Sequence, residues 1–312
     1  MSKVIKTEIK EYLDYGKVLA ISNGVIETYV TIDVGPRIIR YGFVGEQNLM
    51  CDNRAAAAPK EDKEFKDFFG EGKKWEILGG HRIWTSPESY PESYYPDLEP
   101  VEYEITEFGA VFTPKAEKEN GLQKQLEIKM DPEDSNMYVT MRVTNISIMP
   151  QEFSIWGLTV SATDGTLIVP MNNNDTGLLA NRNISVWPYT NLADNRLNLG
   201  NRYVTLYQDR DVHQALKLGF DLNDATIYYL LGEDVFVKQY ETYHPYERYP
   251  DNNCSFETYT CDTFIEIESL SPLKNVQPQE TVSLTEHWSL HKKPCEVGLY
   301  DDKSIEEMLS KL

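Results

Sequence analysis

Cysteine and histidine are scarce in this sequence, which has four cysteines and five histidines among 312 residues. The cysteines are far apart in the chain, and no two of them form the closely spaced pair that zinc and redox motifs use. They are Cys51, Cys254, Cys261 and Cys295. We therefore expect reduced, packed thiols and no metal site.

The sequence also lacks a long apolar run. No stretch approaches the roughly 18 to 20 apolar residues that cross a bilayer. Residues 1–12 carry several charges, whereas a signal peptide has an apolar stretch at this position. These features predict a cytoplasmic protein without a membrane-embedded segment.

Positive charge is in the minority. Lysine and arginine number 30 and aspartate and glutamate number 50, which gives a formal net charge of −20. A polyanion would be repelled by most of such a surface. The composition therefore argues against nucleic acid and against anionic membranes as partners.

Motifs for the common cofactors and hydrolytic mechanisms are missing. The chain has no Walker loop, no dinucleotide-binding glycine pattern, no His-Glu-x-x-His and no Gly-x-Ser-x-Gly. Nucleotide cofactors, zinc proteolysis and α/β-hydrolase chemistry therefore have no support. Any reaction at this protein is expected to use side chains alone, without an organic cofactor.

What the sequence does have is an alternation of apolar and polar residues that continues through the chain. It is clearest in residues 126–130 and 137–143, which are separated by a turn containing Asp131 and Pro132. A period of two predicts strands with one face in the core. No linker or repeat divides the chain, so we predict one all-β sandwich domain over residues 1–312 with a C-terminal helix at 300–312.

A first candidate site lies in the segment Leu-Gly-Gly-His-Arg-Ile-Trp-Thr-Ser-Pro-Glu at residues 78–88. Its chemistry-bearing residues are His81, Arg82, Trp84 and Glu88. An aromatic plane beside hydrogen-bonding groups suits a sugar ring, whose C–H face is apolar and whose rim is hydroxyl. The alternative interpretation is a glycine turn with a buried structural histidine.

A second candidate is the strand at residues 264–270. Alternation places Ile265 and Ile267 on one face and Glu266 and Glu268 on the other, about 7 Å apart. If the isoleucines face the core, two like charges would raise the pKa of one carboxyl and allow it to act as a base. The alternative is an ordinary solvated strand face.

Residues 240–260 combine many tyrosines with charged side chains. His244 and Glu257 are the candidate sugar-binding residues of this segment. The same composition also fits an ordered surface loop.

Five segments spread over nearly the whole chain carry a resemblance. They read DVGPRIIRYGF (33–43), GGHRIWTSPE (79–88), FSIWGLTV (153–160), FIEIESLSPL (264–273) and QPQETVSLTEHWSL (277–290). In order and spacing they resemble the galactose mutarotase-like, or aldose 1-epimerase-like, superfamily. The resemblance implies a β-supersandwich whose concave sheet binds a hexose.

In the characterised epimerases a C-terminal glutamate takes the proton of the anomeric hydroxyl and a histidine donates one to the ring oxygen. By this resemblance Glu266 best matches the base, with Glu268 next. His81 and Arg82 match residues of the N-terminal part of the cleft. The chain departs from the family at a mid-chain strand, where Trp156 stands in place of a second histidine.

Because of this departure His81 or His244 would have to supply the acid, with Trp156 as a sugar-binding residue. The leading hypothesis is an aldose 1-epimerase-like isomerase that acts on a small carbohydrate. The second is a sugar-binding or sensor domain without catalysis. A third is a scaffold that uses the acidic surface and the C-terminal helix, and a homodimer is compatible with each.

Overall fold

The computed structural model describes residues 4–242 and 246–312. Strands follow one another along this part of the chain, with short helices between them or after them. The strands are β1 (Lys6–Glu11), β2 (Lys17–Ser22), β3 (Ile26–Thr31), β4 (Ile38–Phe43), β5 (Gly80–Ser86), β6 (Glu102–Thr106), β7 (Gly109–Thr113), β8 (Leu122–Met130), β9 (Asn136–Asn145), β10 (Gln151–Ser161), β11 (Thr166–Pro170), β12 (Ile184–Val186), β13 (Leu197–Leu199), β14 (Tyr203–Tyr207), β15 (Leu216–Phe220), β16 (Ala225–Leu231), β17 (Asp234–Tyr240), β18 (Phe256–Thr260), β19 (Ile265–Leu270), β20 (Lys274–Val276) and β21 (Thr281–Lys292). The helices are α1 (Lys63–Phe69), α2 (Pro250–Asn253) and α3 (Asp302–Leu309), and a 3₁₀ turn covers Glu92–Tyr94.

These strands form two antiparallel sheets that pack face to face. The first sheet has the order β1-β2-β3-β4-β5-β10-β19-β18-β15-β12, and β20 pairs with the end of β10. The second has the order β13-β14-β11-β16-β17-β21-β9-β8-β7-β6. The prediction of an all-β sandwich is confirmed.

The β8–β9 hairpin has the predicted pairing. Leu126 lies opposite Met141 and Ile128 opposite Val139, and all four side chains are buried. Asn23 fixes the turn from outside the hairpin, because its side-chain amide donates to two carbonyl oxygens of the turn at 2.7 and 2.6 Å. Because these apolar side chains are buried, one face of the hairpin lies in the core, as the alternation indicates.

The middle of the first sheet is buried on both faces. Every residue of β19 is buried, and Ile265 and Ile267 belong to the core between the two sheets. This confirms the prediction that the isoleucines point inward. Burial of each such side chain contributes about 1.5–3 kcal/mol, so the strand cannot rotate to turn its acids inward.

Helix α1 packs over the outer face of the first sheet. Asp62 begins the helix by accepting a hydrogen bond from the backbone amide of Phe65 at 3.0 Å. Phe65 and Phe69 are buried against Trp75 and Trp84. The helix-like spacing of the phenylalanines in the charged segment 53–74 thus reflects a short helix on the body of the sandwich.

Helix α3 docks on the second sheet. Its buried residues Ile305 and Met308 pack with Ile168 of β11, Leu230 of β16 and Val235 of β17. The prediction of a C-terminal helix at 300–312 is confirmed, with bounds of Asp302–Leu309.

In the described ranges, no helix has the length and apolar character needed to cross a bilayer. A cytoplasmic location, a single domain over residues 1–312 and a homodimer stay predictions.

Candidate functional site

Neighbouring strands of the first sheet carry a mixed aromatic and charged surface on their outer face, which is the face turned away from the second sheet. Ile83, Ile155 and Ile267 point into the core from β5, β10 and β19. Since side chains alternate along a strand, their neighbours point outward. This outer surface, which we call the cleft, carries Arg82, Trp84, Trp156, Leu158, Lys217, Glu257, Tyr259, Glu266 and Glu268.

An ion pair spans β10 within the cleft. Nη2 of Arg82 donates to Oε1 of Glu266 at 3.0 Å, although the two residues are 184 positions apart. The guanidinium carbon of Arg82 lies 4.6 Å from the ring centroid of Trp84. Trp84 in turn contacts Trp156 edge to face, with centroids 5.7 Å apart. A charged pair is thereby enclosed by aromatic rings, where its hydrogen bonds are stronger than in water.

Glu268 lies deeper than Glu266. Its Oε2 accepts from Nε1 of Trp156 at 2.9 Å and from Nζ of Lys217 at 3.2 Å, and the residue is fully buried. Burial raises the pKa of Glu268 from 4.5 to about 7, and the charge of Lys217 offsets part of this rise. The two acids of β19 therefore share a face but differ in environment.

Lys217 joins Glu268 to a third acid. Glu257 lies directly opposite Glu268 on β18, and its Oε2 is 2.8 Å from Nζ of Lys217. Burial raises the pKa of Glu257 well above its usual value, and Lys217 offsets part of that rise. Burial by itself lowers the pKa of Lys217. The negative charges of Glu268 and Glu257 raise this pKa by a larger amount, so the pKa of Lys217 lies above its usual value. The ammonium also lies 4.7 Å from the ring of Trp156 and 4.8 Å from that of Trp187.

The cleft contains two adjoining cavities of about 220 and 380 Å³. Both are lined by Glu88, Tyr94, Trp156 and Lys217, and the smaller one also reaches Glu266. The larger volume falls in the range of about 300–1,000 Å³ that is usual for small-molecule sites. Within the described ranges, no three His, Cys, Asp or Glu side chains are grouped as metal ligands would be.

His81 is not part of the cleft. It points between the sheets, where its Nδ1 is 2.9 Å from Oγ1 of Thr159 and its ring contacts Trp288 edge to face at 5.2 Å. Burial lowers the pKa of His81 well below its usual value. The expectation that His81 shares a hollow with Arg82 and Glu266 is wrong, because adjacent residues of a strand face opposite sides of the sheet.

Comparison with known proteins shows the fold. No protein-family model and no curated protein matches the sequence. A galactose mutarotase-like protein from Lactobacillus casei superposes with a TM-score of 0.54 at 11% identity, over 88% of this chain and 100% of the other. One from Clostridium acetobutylicum gives 0.52 at 12% identity, over 92% and 99%. A TPR-domain containing protein from Parabacteroides distasonis gives 0.57 at 14% identity, over 94% of this chain and 51% of the other.

The chain has the galactose mutarotase-like fold. The fold predicted from the resemblance is thus confirmed.

Within this galactose mutarotase-like sandwich, the predicted site residues fall into three groups. Arg82, Trp84, Glu88, Trp156, Glu257, Glu266 and Glu268 converge on the cleft. His81 lies on the opposite face of the sheet, and His244 lies outside the described residues. The roles assigned to all of these residues stay predictions.

Lys217 is a cleft residue that no motif in the sequence indicates. Its only local signal is its position between Leu216 and Leu218, which are buried in the core and so direct the lysine outward. Its partners are 40 and 51 residues away in the chain, at Glu257 and Glu268. Pairing of β15 with β18 brings them together.

Proposed function

We propose that this protein binds a carbohydrate in the cleft. The observation that carries the proposal is the arrangement of Trp84 and Trp156 around the Arg82–Glu266 ion pair, at the wall of a cavity. A sugar ring needs an aromatic surface for its C–H face and polar groups for its hydroxyls. Both kinds of group line the same cavity here.

The polar groups of the cavity are complementary to hydroxyl groups. Glu266 can accept hydrogen bonds, the ammonium of Lys217 can donate them, and the phenol of Tyr189 can do both. Glu266 keeps 8% of its surface exposed, whereas Glu268 is fully buried. Glu266 is therefore the carboxylate that a ligand can reach.

The test is sugar binding by the wild type and by Glu266→Gln, measured by calorimetry over hexoses, pentoses and their phosphates. A hydrogen bond to a charged group contributes about 1.5–3 kcal/mol, so the substitution should weaken binding at least about tenfold. The matched control is Glu127→Gln, which removes a carboxylate paired with Arg142 at 2.5 Å on the other sheet. The proposal fails if no sugar of the panel binds, or if Glu266→Gln binds as tightly as the control.

A second candidate function is interconversion of sugar anomers, with Glu266 as the base. Its specific support is the position of Glu266, which faces the cavity as a proton acceptor from a hydroxyl must. The proton donor that this mechanism also needs has less support. His81 lies behind the sheet, and the raised pKa of Lys217 makes it a poor proton donor near neutral pH.

Anomer exchange followed by NMR or polarimetry tests this second function separately. Loss of a general base lowers the rate by about 10²–10⁴-fold, so Glu266→Gln should fall to the rate of buffer. No acceleration by the wild type over the panel would reject the epimerase and leave the binding proposal intact.

A further inference from the structure

The cleft extends beyond the cavity that Glu266 faces. Of its two adjoining cavities, the one of about 220 Å³ reaches Glu266. The one of about 380 Å³ does not reach Glu266 and is lined instead by Tyr90, Trp187 and Asp251. Trp156 forms part of the wall of both cavities. The sugar contacts with Glu266 lie in the smaller cavity, which leaves the larger one free for a further part of the ligand.

Strand β15 holds the indole of Trp187 at the far side of the cleft. The ring centroid of Trp187 is 4.8 Å from Nζ of Lys217, and the same ammonium is 4.7 Å from the ring of Trp156. A side-chain carbon at Gly219 would collide with Sγ of Cys254 and would lie 3.3 Å from Cζ3 of Trp187. Glycine at this position of the strand therefore leaves room for the indole. The chain thus builds a second aromatic surface beside Trp156.

Three tryptophans follow one another across the first sheet. The rings of Trp84 and Trp156 have centroids 5.7 Å apart, and Lys217 lies between Trp156 and Trp187. This row runs in the direction in which the strands pair, from β5 through β10 to β15. Four interstrand spacings separate β5 from β15, which corresponds to about 19 Å along the sheet. One six-membered sugar ring covers only part of this width, whereas two linked rings can contact both ends.

The polar groups of the larger cavity favour neutral sugar residues. Asp251 lines this cavity alone and Glu88 lines both cavities, and neither residue is buried. Their carboxylates can accept hydrogen bonds from sugar hydroxyls. Lys217 is the one cation among the described residues that line the larger cavity, and it is already paired with Glu257 and Glu268. A phosphate group at this end of the cleft would therefore be repelled.

We propose that the carbohydrate of the cleft is a disaccharide or a longer neutral oligosaccharide. One ring packs on Trp84 and Trp156 beside Glu266, and the next ring packs on Trp187 beside Asp251. Each ring then has an aromatic surface for its C–H face and a carboxylate for its hydroxyls. This inference rests on the proposed function, because it assigns a second sugar position to the same cleft.

Calorimetric titration tests the inference by comparing glucose and galactose with maltose, cellobiose and lactose. At least one disaccharide should bind the wild type at least about tenfold more tightly than its monosaccharides do. Trp187→Ala should remove this gain and leave monosaccharide affinity within about twofold of wild type. The matched control is Tyr138→Ala, which truncates a partly exposed aromatic ring on the second sheet and should bind both kinds of sugar like the wild type.

A direct readout covers the case in which Trp187→Ala does not fold. The chain has five tryptophans, and the variant Trp187→Phe identifies the indole N–H signal of Trp187 in a ¹⁵N spectrum. The disaccharide should shift this signal in the wild type, whereas its monosaccharides should leave it in place.

The outcomes separate this inference from the proposed function. If monosaccharides bind as tightly as every disaccharide, if Trp187→Ala keeps the gain, or if the Trp187 signal does not move, the second sugar position is overturned while sugar binding stands. If no sugar of either length binds, the proposed function is overturned together with this inference.

Discussion

The buried carboxyl of Glu268 should make the stability of this protein depend on pH. In the folded state its pKa is raised from 4.5 to about 7, chiefly by burial. A carboxyl with a raised pKa binds its proton more tightly in the folded than in the unfolded chain. Its contribution is therefore most favourable below pH 4.5 and is lost as the pH rises to about 7.

The size of this loss follows from the shift. One pKa unit corresponds to about 1.4 kcal/mol. Ionisation of Glu268 should therefore lower the unfolding free energy by about 3 kcal/mol as the pH rises from 4.5 to 8. The variant Glu268→Gln removes the titration and keeps an oxygen that can accept from Nε1 of Trp156. Lys217 keeps Glu257 as its partner, at 2.8 Å.

Urea unfolding at pH 5 and at pH 8 measures the effect. The unfolding free energy of Glu268→Gln minus that of the wild type should be about 2–3 kcal/mol larger at pH 8 than at pH 5. The control is Glu127→Gln, because Glu127 belongs to a partly exposed ion pair. For this variant the same difference should change by less than about 1 kcal/mol between the two pH values. If the free-energy difference between Glu268→Gln and wild type is the same at both pH values, the reasoning about burial is refuted.

Two further substitutions test the account of the two faces of the first sheet. Lys217→Met leaves Glu257 and Glu268 without their cation, so unfolding free energy should fall by about 3–5 kcal/mol at pH 8. Denaturant titration measures this fall, and an unchanged midpoint would contradict it. His81→Asn should lower unfolding free energy by about 1–3 kcal/mol through the lost contact with Thr159, while sugar affinity stays within twofold of wild type. A tenfold loss of sugar affinity in a folded His81→Asn protein would place this residue in the site after all.

The architecture could be predicted from local patterns. Alternation in residues 126–130 and 137–143 predicts a hairpin with one buried face, and the hairpin is present. The two isoleucines of β19 point inward for the same reason, because an apolar side chain gains free energy only on the buried face. The outward direction of Glu266 and Glu268 follows from these isoleucines.

The content of the cleft could be predicted only in part. His81 and Arg82 are adjacent in the sequence and were expected in one site. They belong to a strand, however, so their side chains point to opposite faces of the sheet. The partners of Lys217 could not be predicted from the sequence, because Glu257 and Glu268 come from distant segments.

Local sequence, then, is enough to decide which residues become strands and which side of each strand is buried, because both depend on short-range periodicity. The properties of individual charges depend on long-range pairing. Glu266 and Glu268 are two residues apart on one strand, yet β5 supplies Arg82 to the first and β15 supplies Lys217 to the second. Burial and partner charge set a carboxyl's pKa, and both arise only when strands distant in sequence become neighbours in the sheet.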